Sequence, residues 1–453
     1  MERKTVDVNG VIDSAKFVGL PLAIALMMII IMLSDGFDLF IMGYVGPALV
    51  EDWGISRADI QPVNTAGLIG MAIGSVVLGW LGDRIGRKIA YVSCLALLCI
   101  GSTFCYFAEN VSELYTWRLV MGFGLGGITP LATTLVSEWT SKNIRSVVVA
   151  TVIVAVPLGG TLAGFVDRAL VNEAADWRNM FLVGAITPFI LFVIFSFLLP
   201  ESPKYMTKHK GMHKKLAKNL NRLVGEQRFD GTEDFVINEE ARHQNSGSSD
   251  GFFLAAIWNK HFALRTALIW TAFSVNSFIL YMFTNQLPLL LDAGGQSADL
   301  SSQALQLFSG GAFLGSIGGA FLIGWFGSRY VGTALAALGA IATAILALLL
   351  HNNDVASFPL LAMCLVAGAS VNGMQAFMYA VSSHSYPTAI RGSAIGMAQT
   401  FSRIGAVGSP IVAGIYFAME PMPAVSTFLF FVAAVMMLTV TSFFLIPTHI
   451  PKN

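Results

Sequence analysis

The stretch GWLGDRIGRK, residues 79–88, has a second copy, GWFGSRYVGT, at residues 324–333, which is 245 residues further along the chain. A second pair of polar stretches has almost the same spacing, since SEWTSKNIRS at 137–146 and SHSYPTAIRG at 383–392 lie 246 residues apart. Two loops that recur at one offset indicate that the chain consists of two similar halves. Parallel repeats of this kind are one plan of membrane transporters, with the binding site near the midplane between the halves.

The composition of the 453-residue chain is that of a protein immersed in lipid. Hydrophobic residues make up 55% of the chain and charged residues only 12%, and the mean hydropathy is +0.68. Soluble proteins carry about a quarter charged residues, so this chain has too few to cover several soluble domains. The 27 basic and 27 acidic residues cancel, so no basic excess indicates a nucleic-acid partner.

Apolar stretches long enough to cross a membrane recur along the whole chain. A membrane helix needs about 20 apolar residues, and this rule predicts about twelve spans. They lie near residues 18–48, 60–82, 88–108, 113–137, 146–170, 178–199, 262–291, 303–327, 332–350, 357–383, 392–418 and 424–446. We therefore predict an all-α membrane protein with two six-helix bundles.

The longest polar stretch separates the sixth span from the seventh. It combines a lysine-rich segment, an acidic patch and the sequence NSGSSDG, which predicts short surface helices with a flexible joint. The predicted organisation is an N-terminal segment at 1–17, a first bundle at 18–199, a central loop at 200–261, a second bundle at 262–446 and a tail at 447–453.

The distribution of Lys and Arg among the loops predicts the orientation in the membrane. Loops after the even-numbered spans are basic, with Arg84 and Lys142 among their residues, whereas the opposite loops are acidic, as at Asp52 and Asp292. Because basic loops stay in the cytoplasm, both termini and the central loop are predicted to be cytoplasmic.

Four motifs resemble those of the major facilitator superfamily. GxxxDRxGRK at 79–88 resembles its loop motif between the second and third spans, and RxxxGxGxG at 118–126 its fourth-span motif. AVPLGGTLAG at 155–164 resembles the fifth-span motif, and PESPKYM at 200–206 the end of the sixth span. There are departures, because the fifth-span motif lacks its GP pair and Ser328 replaces an Asp in the second loop copy. The resemblance covers nearly the whole chain and implies the major facilitator fold.

Three shorter stretches resemble the aromatic acid:proton symporters within that superfamily. They are DGFD at 35–38, YPTAIRGSAIG at 386–396 and SRIGAVGSP at 402–410. This narrower resemblance implies a carrier that imports a benzoate-type carboxylate together with protons. It also implies a bacterial inner-membrane location, with the proton gradient as driving force and no cofactor.

Four ionisable residues lie inside predicted spans, where a charge is costly unless it is paired or hydrated: Asp35, Asp38, Arg118 and Arg403. Asp35 and Asp38 are three residues apart, so on a helix they share a face and lie about 4.5 Å apart along the axis. Close carboxylates repel one another and suit a site that binds and releases a proton. We predict proton coupling at this pair and at Arg118, which the resemblance also implicates. The alternative is a structural role, as a helix cap or in a permanent ion pair.

Arg403 is the predicted receptor for a substrate carboxylate, because its guanidinium group keeps its charge and presents a planar fork of donors. The alternative is an internal salt bridge to an acidic residue of the first half. Polar and aromatic residues of the later spans are predicted to hydrogen-bond or stack on the rest of the substrate: Asn276, Tyr281, Asn285, Gln375, Gln399 and Phe401.

The resemblance also implies a charge network that latches the cytoplasmic side. Its predicted members are Gly79, Asp83, Arg84, Arg87, Glu138, Arg145, His384 and Arg391. Glu138 and His384 occupy the same place in the two repeats, and a His can titrate near neutral pH. For these two, the alternative is an interfacial residue in a solvated loop.

Other kinds of site find no support in the sequence. The four cysteines lie in apolar runs without the spacing of a zinc site or a disulfide framework, and we predict no metal site. No nucleophile and base constellation and no P-loop motif indicates an enzyme or an ATP-driven pump.

The predicted function is proton-coupled import of a small aromatic carboxylate by alternating access. The alternatives are an exporter, a carrier of a dicarboxylate, muconate or sugar acid, and a sensor that binds its ligand without moving it. The predicted partners are the acid, protons and the lipid bilayer, without nucleic acid and without a required oligomer.

Overall fold

The structure, a computed structural model, describes residues 5–171, 173–237, 262–351, 356–386 and 388–446. These residues form fifteen α-helices, two short 3₁₀ helices and two strands. The α-helices are α1 (Val8–Ser14), α2 (Leu20–Trp53), α3 (Gln61–Ile85), α4 (Arg87–Tyr106), α5 (Val111–Trp139), α6 (Arg145–Leu170), α7 (Arg178–Leu198), α8 (Pro203–Lys208), α9 (His213–Val224), α10 (Ala263–Ala293), α11 (Ala298–Phe326), α12 (Ser328–His351), α13 (Ser357–Ser385), α14 (Thr388–Phe417) and α15 (Val425–Leu445). The 3₁₀ helices are Ala174–Trp177 and Lys210–Met212, and the strands are β1 (Thr5–Asp7) and β2 (Asp234–Val236).

The long helices have the dimensions of membrane spans. Within the described ranges, ten helices are long and apolar enough to cross a membrane, namely α2 to α7, α10, α12, α13 and α15. Helices α11 and α14, with 29 and 30 residues, are of the same length. Each of the twelve predicted spans coincides with one of these helices to within several residues. At a rise of about 1.5 Å per residue they can all cross a hydrocarbon core of about 30 Å, and the prediction of an all-α membrane protein is confirmed.

Glycine 86 makes the sharp turn between α3 and α4. Its φ of 104° lies in the region that favours glycine, and this backbone conformation explains why the loop motif at 79–88 has a glycine at this position. The Glu201 carboxylate accepts hydrogen bonds from the backbone N–H of Lys88, in the first turn of α4. A carboxylate at this position satisfies helix-terminal N–H groups and complements the helix dipole.

The helices pack in the same way in the first half, α2–α7, and in the second half, α10–α15. In the first half α3 packs on α5, α2 on α6, and α4 on both α5 and α7. The second half repeats these pairs, since α11 packs on α13, α10 on α14, and α12 on both α13 and α15. The repeat seen in two loops of the sequence therefore extends to the packing of all twelve long helices.

The main contacts between the halves are made by α2 with α10, α3 with α14, and α6 with α11. The second and third pairs are equivalent under the repeat, so the halves meet with approximate two-fold symmetry. The first pair packs closely, because a Cβ at Gly43 of α2 would collide with the backbone carbonyl of Thr284 of α10. Small residues at such crossings let membrane helices approach one another.

The loops at the two ends of the helices differ in charge, and we name the ends accordingly. The basic face carries Arg84, Arg87, Lys88, Lys142 and Arg145. The acidic face carries Glu51, Asp52, Asp59, Asp292 and Asp299.

The N-terminal and central segments fold together at the basic face. β1 pairs in parallel with β2, with Thr5 opposite Asp234, and α1 packs on α9. The backbone N–H of Lys142, in the loop before α6, donates to Asp13 Oδ1 at 2.8 Å. The sequence predicted short helices in the central loop, which α8 and α9 are, but it did not predict the strand pair. The predicted flexible joint, NSGSSDG, belongs to the stretch 238–261, which lies outside the described residues.

Candidate functional site

Asp35 and Asp38 lie near the middle of α2 and are buried, with 6% and 0% exposed surface. Thr129 of α5 donates a hydrogen bond from Oγ1 to Asp35 Oδ2 at 3.2 Å. Asp38 lies beside Gly184 of α7, where a Cβ would come within 2.7 Å of Asp38 Oδ1 and 2.9 Å of the Ser102 hydroxyl of α4. Neither Asp38 oxygen has a hydrogen-bond partner among the described residues. The two carboxylates therefore have different neighbours, although they are only three residues apart.

Arg118 of α5 approaches Asp38 without forming an ion pair with it in the described structure. Its electrostatic partners include Asp38 and the Cys105 thiol. Nη1 donates to Met121 Sδ at 3.2 Å, a weak acceptor, and the buried Nε has no partner among the described residues. A buried guanidinium group and a buried carboxylate thus interact electrostatically without a direct hydrogen bond, and each has unused hydrogen-bonding capacity.

A small cavity of about 10 Å³ adjoins Arg118. Asn64 and Gly67 of α3 line it from the first half, and Asn285 of α10 lines it from the second half. Asn285 was predicted to contact substrate, and the structure places it here, beside Arg118, toward the acidic face.

Arg403 lies at the middle of α14, half-buried, with 15 residues of the helix before it and 14 after it. It is close enough to Asp35, Tyr281 and Tyr379 to act electrostatically on all three. Tyr281 is also within hydrogen-bonding reach of Arg403 and contacts Met71 of α3 through its hydroxyl, at 3.9 Å. Arg403 therefore lies at the junction of α2, α10, α13 and α14, near mid-membrane.

A polar cluster of the second half extends from this junction. Asn276 Nδ2 donates to Gln375 Oε1 at 2.7 Å, and Tyr379 lies one turn after Gln375 on α13, within hydrogen-bonding reach of it. Asn276, Gln375, Tyr281 and Arg403, four residues singled out in the sequence, thus lie in one connected region. Tyr379 is 37% exposed and packs edge-on against Phe273, with ring centroids 5.3 Å apart.

Two other predicted substrate residues have different surroundings. The Phe401 ring stacks on Trp270, with centroids 4.1 Å apart, and its backbone carbonyl accepts a hydrogen bond from Ser274 Oγ. Gln399 is exposed and lies one turn before Arg403 on α14. Contact of either side chain with substrate stays a prediction.

The charge network at the basic face is centred on Arg87. Its guanidinium group contacts Asp83 at 2.5 Å and Glu138 of α5 at 3.6 Å. Arg84 instead stacks over the Trp80 ring, with Cζ 4.2 Å from the centroid. The network therefore joins the ends of α3, α4 and α5 within the first half.

The remaining predicted members of this network are dispersed. Gly79 is half-buried on α3, and Arg145 donates to the backbone carbonyl of Thr140 at 3.2 Å, which closes the turn before α6. His384 is exposed near the end of α13. Arg391 belongs to α14, but its side chain lies outside the described part of the structure.

A row of polar contacts joins α6 and α11 and was not predicted from the sequence. Ser302 Oγ donates to Asp167 Oδ2 at 2.5 Å, Arg168 Nη2 donates to Gln306 Oε1 at 2.5 Å, and Ser309 Oγ donates to the Pro157 carbonyl at 2.6 Å. Ser302, Gln306 and Ser309 are spaced four and three residues apart, and this helical spacing in an apolar stretch was the available signal. Asp167 is a buried intramembrane carboxylate whose partner belongs to the other half.

The structure also describes the surroundings of the cysteines and other candidate metal ligands. Cys94, Cys105 and Cys364 are buried, Cys99 is half-buried, and all four are free thiols. Within the described ranges, no three His, Cys, Asp or Glu side chains are grouped closely enough to hold a metal ion.

Comparison with known sequences agrees with the helix packing and the motifs. The family model of the Major Facilitator Superfamily matches residues 25–410, a range that begins within α2 and ends within α14. The chain belongs to the major facilitator superfamily. This result confirms the resemblance drawn from the loop and helix motifs, and it makes the protein a membrane transporter by family.

Two relatives within the superfamily have similar length. The 4-hydroxybenzoate transporter PcaK of Acinetobacter baylyi is 32% identical over 410 residues, which cover 90% of this chain and 87% of the relative. The gallate transporter of Pseudomonas putida is 27% identical, with coverage of 90% and 88%. Among solved structures, the inward open conformation of the xylose transporter XylE from E. coli superposes with a TM-score of 0.72 at 16% identity, over 95% of this chain and 97% of that chain. This likeness supports the major facilitator fold.

Proposed function

We propose that this protein is a proton-coupled symporter that imports small aromatic carboxylates, of the benzoate or hydroxybenzoate type, by alternating access. The observation that carries the proposal is the position of Arg403, a half-buried cation at mid-membrane beside Asp35 and the tyrosines Tyr281 and Tyr379. The names of the relatives, transporters of 4-hydroxybenzoate and gallate, support the same class of substrate.

Arg403 is suited to bind the carboxylate of such a substrate. A guanidinium group forms two parallel hydrogen bonds with a carboxylate, and such charge-assisted bonds are about twice as strong as neutral ones. Tyr281 and Tyr379 flank it with aromatic faces and hydroxyl groups, which can contact a ring and its substituents. The Asn276 and Gln375 amides lie further along the same cluster and offer hydrogen bonds to ring hydroxyls.

Asp35 and Asp38 are suited to bind the proton. An ionised carboxylate is costly in a poorly hydrated position, and a proton removes that cost. Binding of the acid at Arg403 and of a proton at the Asp pair neutralises charges of both signs. The net charge of the site is unchanged, but the loaded carrier buries fewer uncompensated charges than the empty one when its halves close around the site.

The contacts between the halves support alternating access. In the described structure, the interhalf hydrogen bonds lie between the acidic face and mid-membrane, including Arg57 with Asp292 and Ser302 with Asp167. By the excess of Lys and Arg at the basic face, we assign that face to the cytoplasm, together with both termini. The bacterial inner membrane is the proposed location, and this arrangement corresponds to a carrier closed toward the outside.

The second candidate is an exporter, or a carrier of another organic anion such as a dicarboxylate, muconate or sugar acid. The same arginine would bind these anions, since the guanidinium group contacts the carboxylate and not the rest of the molecule. The aromatic side chains around Arg403 favour an aromatic substrate over these.

The deciding experiment is uptake into proteoliposomes of labelled 4-hydroxybenzoate, protocatechuate, a hydroxyphenylpropionate and muconate. Each acid is tested with and without an inward proton gradient. We expect one or more aromatic acids to accumulate and the accumulation to collapse when a protonophore is added. Uptake of muconate alone, or no gradient-driven uptake by folded protein, would replace this proposal with the second candidate.

A further inference from the structure

The cavity beside Arg118 contains buried polar atoms that nothing in the described protein satisfies. Arg118 Nε and Asn64 Oδ1 each have less than 1 Å² of exposed surface and no hydrogen-bond partner among the described residues. One is a donor and the other an acceptor, and both residues line the same space of about 10 Å³. That space is about what one water molecule requires, and a buried water typically bonds two to four polar groups.

The cavity lies on the boundary between the halves. Asn64 and Arg118 belong to the first half, and Asn285, which completes the lining, belongs to the second. Counted along the helices at about 1.5 Å per residue, Asn64 lies about 5 Å, and Arg118 and Asn285 about 10–12 Å, from the ends at the acidic face. Asp38 lies deeper, about 22 Å from the same end of α2.

Polar side chains connect the cavity with the acidic face along one side of α3. Asn64 Nδ2 donates to Gln61 Oε1 at 3.3 Å, and Gln61 Nε2 donates to the carbonyl of Arg57 at 3.0 Å. Gln61 packs against Gly414 of the second half, where a Cβ would lie 3.3 Å away. When the halves separate at the acidic face, Gly414 and Asn285 move away from α3, and water reaches its polar side.

The charges around Asp38 are consistent with proton arrival from this direction. Asp38 is faced by Asp35 on its own helix, by Arg118 on α5 and by the Cys105 thiol on α4, while α7 presents the backbone of Gly184. With both carboxylates ionised, Asp38 faces the negative charge of Asp35 and the positive charge of Arg118, and Arg403 acts on Asp35 from α14, so these groups carry no net positive charge that would repel a proton. Arg118 lines the cavity and also acts electrostatically on Asp38, so it links the polar side of α3 with this carboxylate.

We propose that the cavity between Asn64, Arg118 and Asn285 holds one water molecule and is the point through which Asp38 exchanges its proton with the acidic side. The inference rests on the proposed proton coupling and assigns its entry route to α3. In the closed arrangement the cavity is too small for a continuous chain of water, so it also limits proton leakage.

Two substitutions of Asn64 test the route in opposite directions. Asn64→Leu fills the cavity with apolar atoms and removes the acceptor, so gradient-driven uptake of 4-hydroxybenzoate should fall tenfold or more. Substrate exchange at equal pH on both sides should stay within twofold, because exchange needs no proton release. Asn64→Ala enlarges the cavity by about the volume of one water, so gradient-driven uptake should persist. Acidification of substrate-free liposomes, followed with an enclosed pH dye, should be at least twofold faster with this variant than with the parent.

Thr65→Val is the matched control, since Thr65 is the next residue on α3, is half-buried and does not line the cavity. Binding of 4-hydroxybenzoate by calorimetry verifies that each variant is folded. If the parent protein and the Asn64→Leu variant accumulate the acid equally well with a gradient, the route is overturned and the proposed function stays intact. A parent protein without gradient-driven uptake would overturn the proposed function and the route with it. Equal loss of uptake and exchange by folded Asn64→Leu would also overturn the route.

Discussion

Arg57 of the first half and Asp292 of the second are joined across the acidic face, with Arg57 Nε and Nη2 both donating to Asp292 Oδ2, at 3.0 and 2.6 Å. Both side chains are about one-third exposed, at 33% and 32%. Exposed ion pairs contribute only about 0.2–1 kcal/mol, so this pair can bias a conformational equilibrium but not fix it.

Arg57→Ala should therefore open the acidic face up to about fivefold more often, which is the equivalent of about 1 kcal/mol. Opening is measured as the rate of maleimide labelling of Leu289→Cys, because Leu289 is fully buried against Gly46 of the other half. The double variant with Arg57→Asp and Asp292→Arg should return the labelling rate to the parent value. Unchanged labelling in Arg57→Ala would show that the pair does not hold the halves together.

Asp38→Asn should abolish gradient-driven accumulation of substrate while substrate exchange continues. The amide cannot take up and release a proton, but it keeps the size of the carboxyl group beside Gly184. The measurement compares uptake under an inward proton gradient with exchange at equal pH. Asp59→Asn is the control, because Asp59 is a carboxylate of the acidic-face loop that accepts hydrogen bonds from Ser56, three residues before it. Normal accumulation by Asp38→Asn would remove the coupling role from this residue.

Arg403→Gln should weaken binding of 4-hydroxybenzoate about 10- to 100-fold, since a hydrogen bond to a charged group contributes about 1.5–3 kcal/mol. Arg403→Lys should recover part of the affinity, because an ammonium group keeps the charge but loses the planar fork. Binding is measured by calorimetry on purified protein. The control is Arg329→Gln, an exposed arginine of α12 that stacks over Phe444. Equal affinities of parent and Arg403→Gln would exclude Arg403 as the carboxylate receptor.

Gly36→Ala should destabilise the protein, because a Cβ at this position collides with the backbone carbonyl of Val156 on α6. Forcing two packed helices apart costs about 1–3 kcal/mol, and the melting temperature should fall accordingly. Gly318→Ala is the matched control within α11, since a Cβ there meets nothing within 4 Å. This replacement should be neutral or stabilising by up to about 1 kcal/mol, from helix propensity alone. Equal melting temperatures of both variants would contradict the close packing of α2 on α6.

The lengths, number and order of the membrane helices were predictable from the sequence. Each predicted span coincides with a long helix, because the hydrocarbon core requires about 20 apolar residues and leaves few alternatives. The repeated loop motifs also indicated the two equivalent sets of helix pairs. Gly86 is a motif residue with a local structural cause, because its positive φ turns the chain between α3 and α4.

The charged residues of the candidate site were predictable from the sequence, but the arrangement of their side chains was not. Asp35, Asp38, Arg118 and Arg403 stood out because an ionisable group in a span is costly and therefore rare. Serine costs little in a membrane helix, so nothing in the sequence indicated that Ser302 of α11 bonds Asp167 of α6, although Asp167 is itself an ionisable residue in a predicted span. Asn64 is also an uncharged polar residue, and it was overlooked because such residues are common enough in membrane helices to draw no attention.

Sequence alone thus determined the helices, their repeat and the few buried charges, since these depend on the local cost of exposing polar groups to lipid. Only the tertiary structure decided which neighbours those charges have. Asp35 accepts a hydrogen bond from Thr129 of α5, whereas Asp38 lies beside Gly184 of α7, although both residues lie on the same turn of α2. Which helices pack on α2, and at what rotation, depends on contacts between residues far apart in the chain, and a hydrophobic pattern does not encode them.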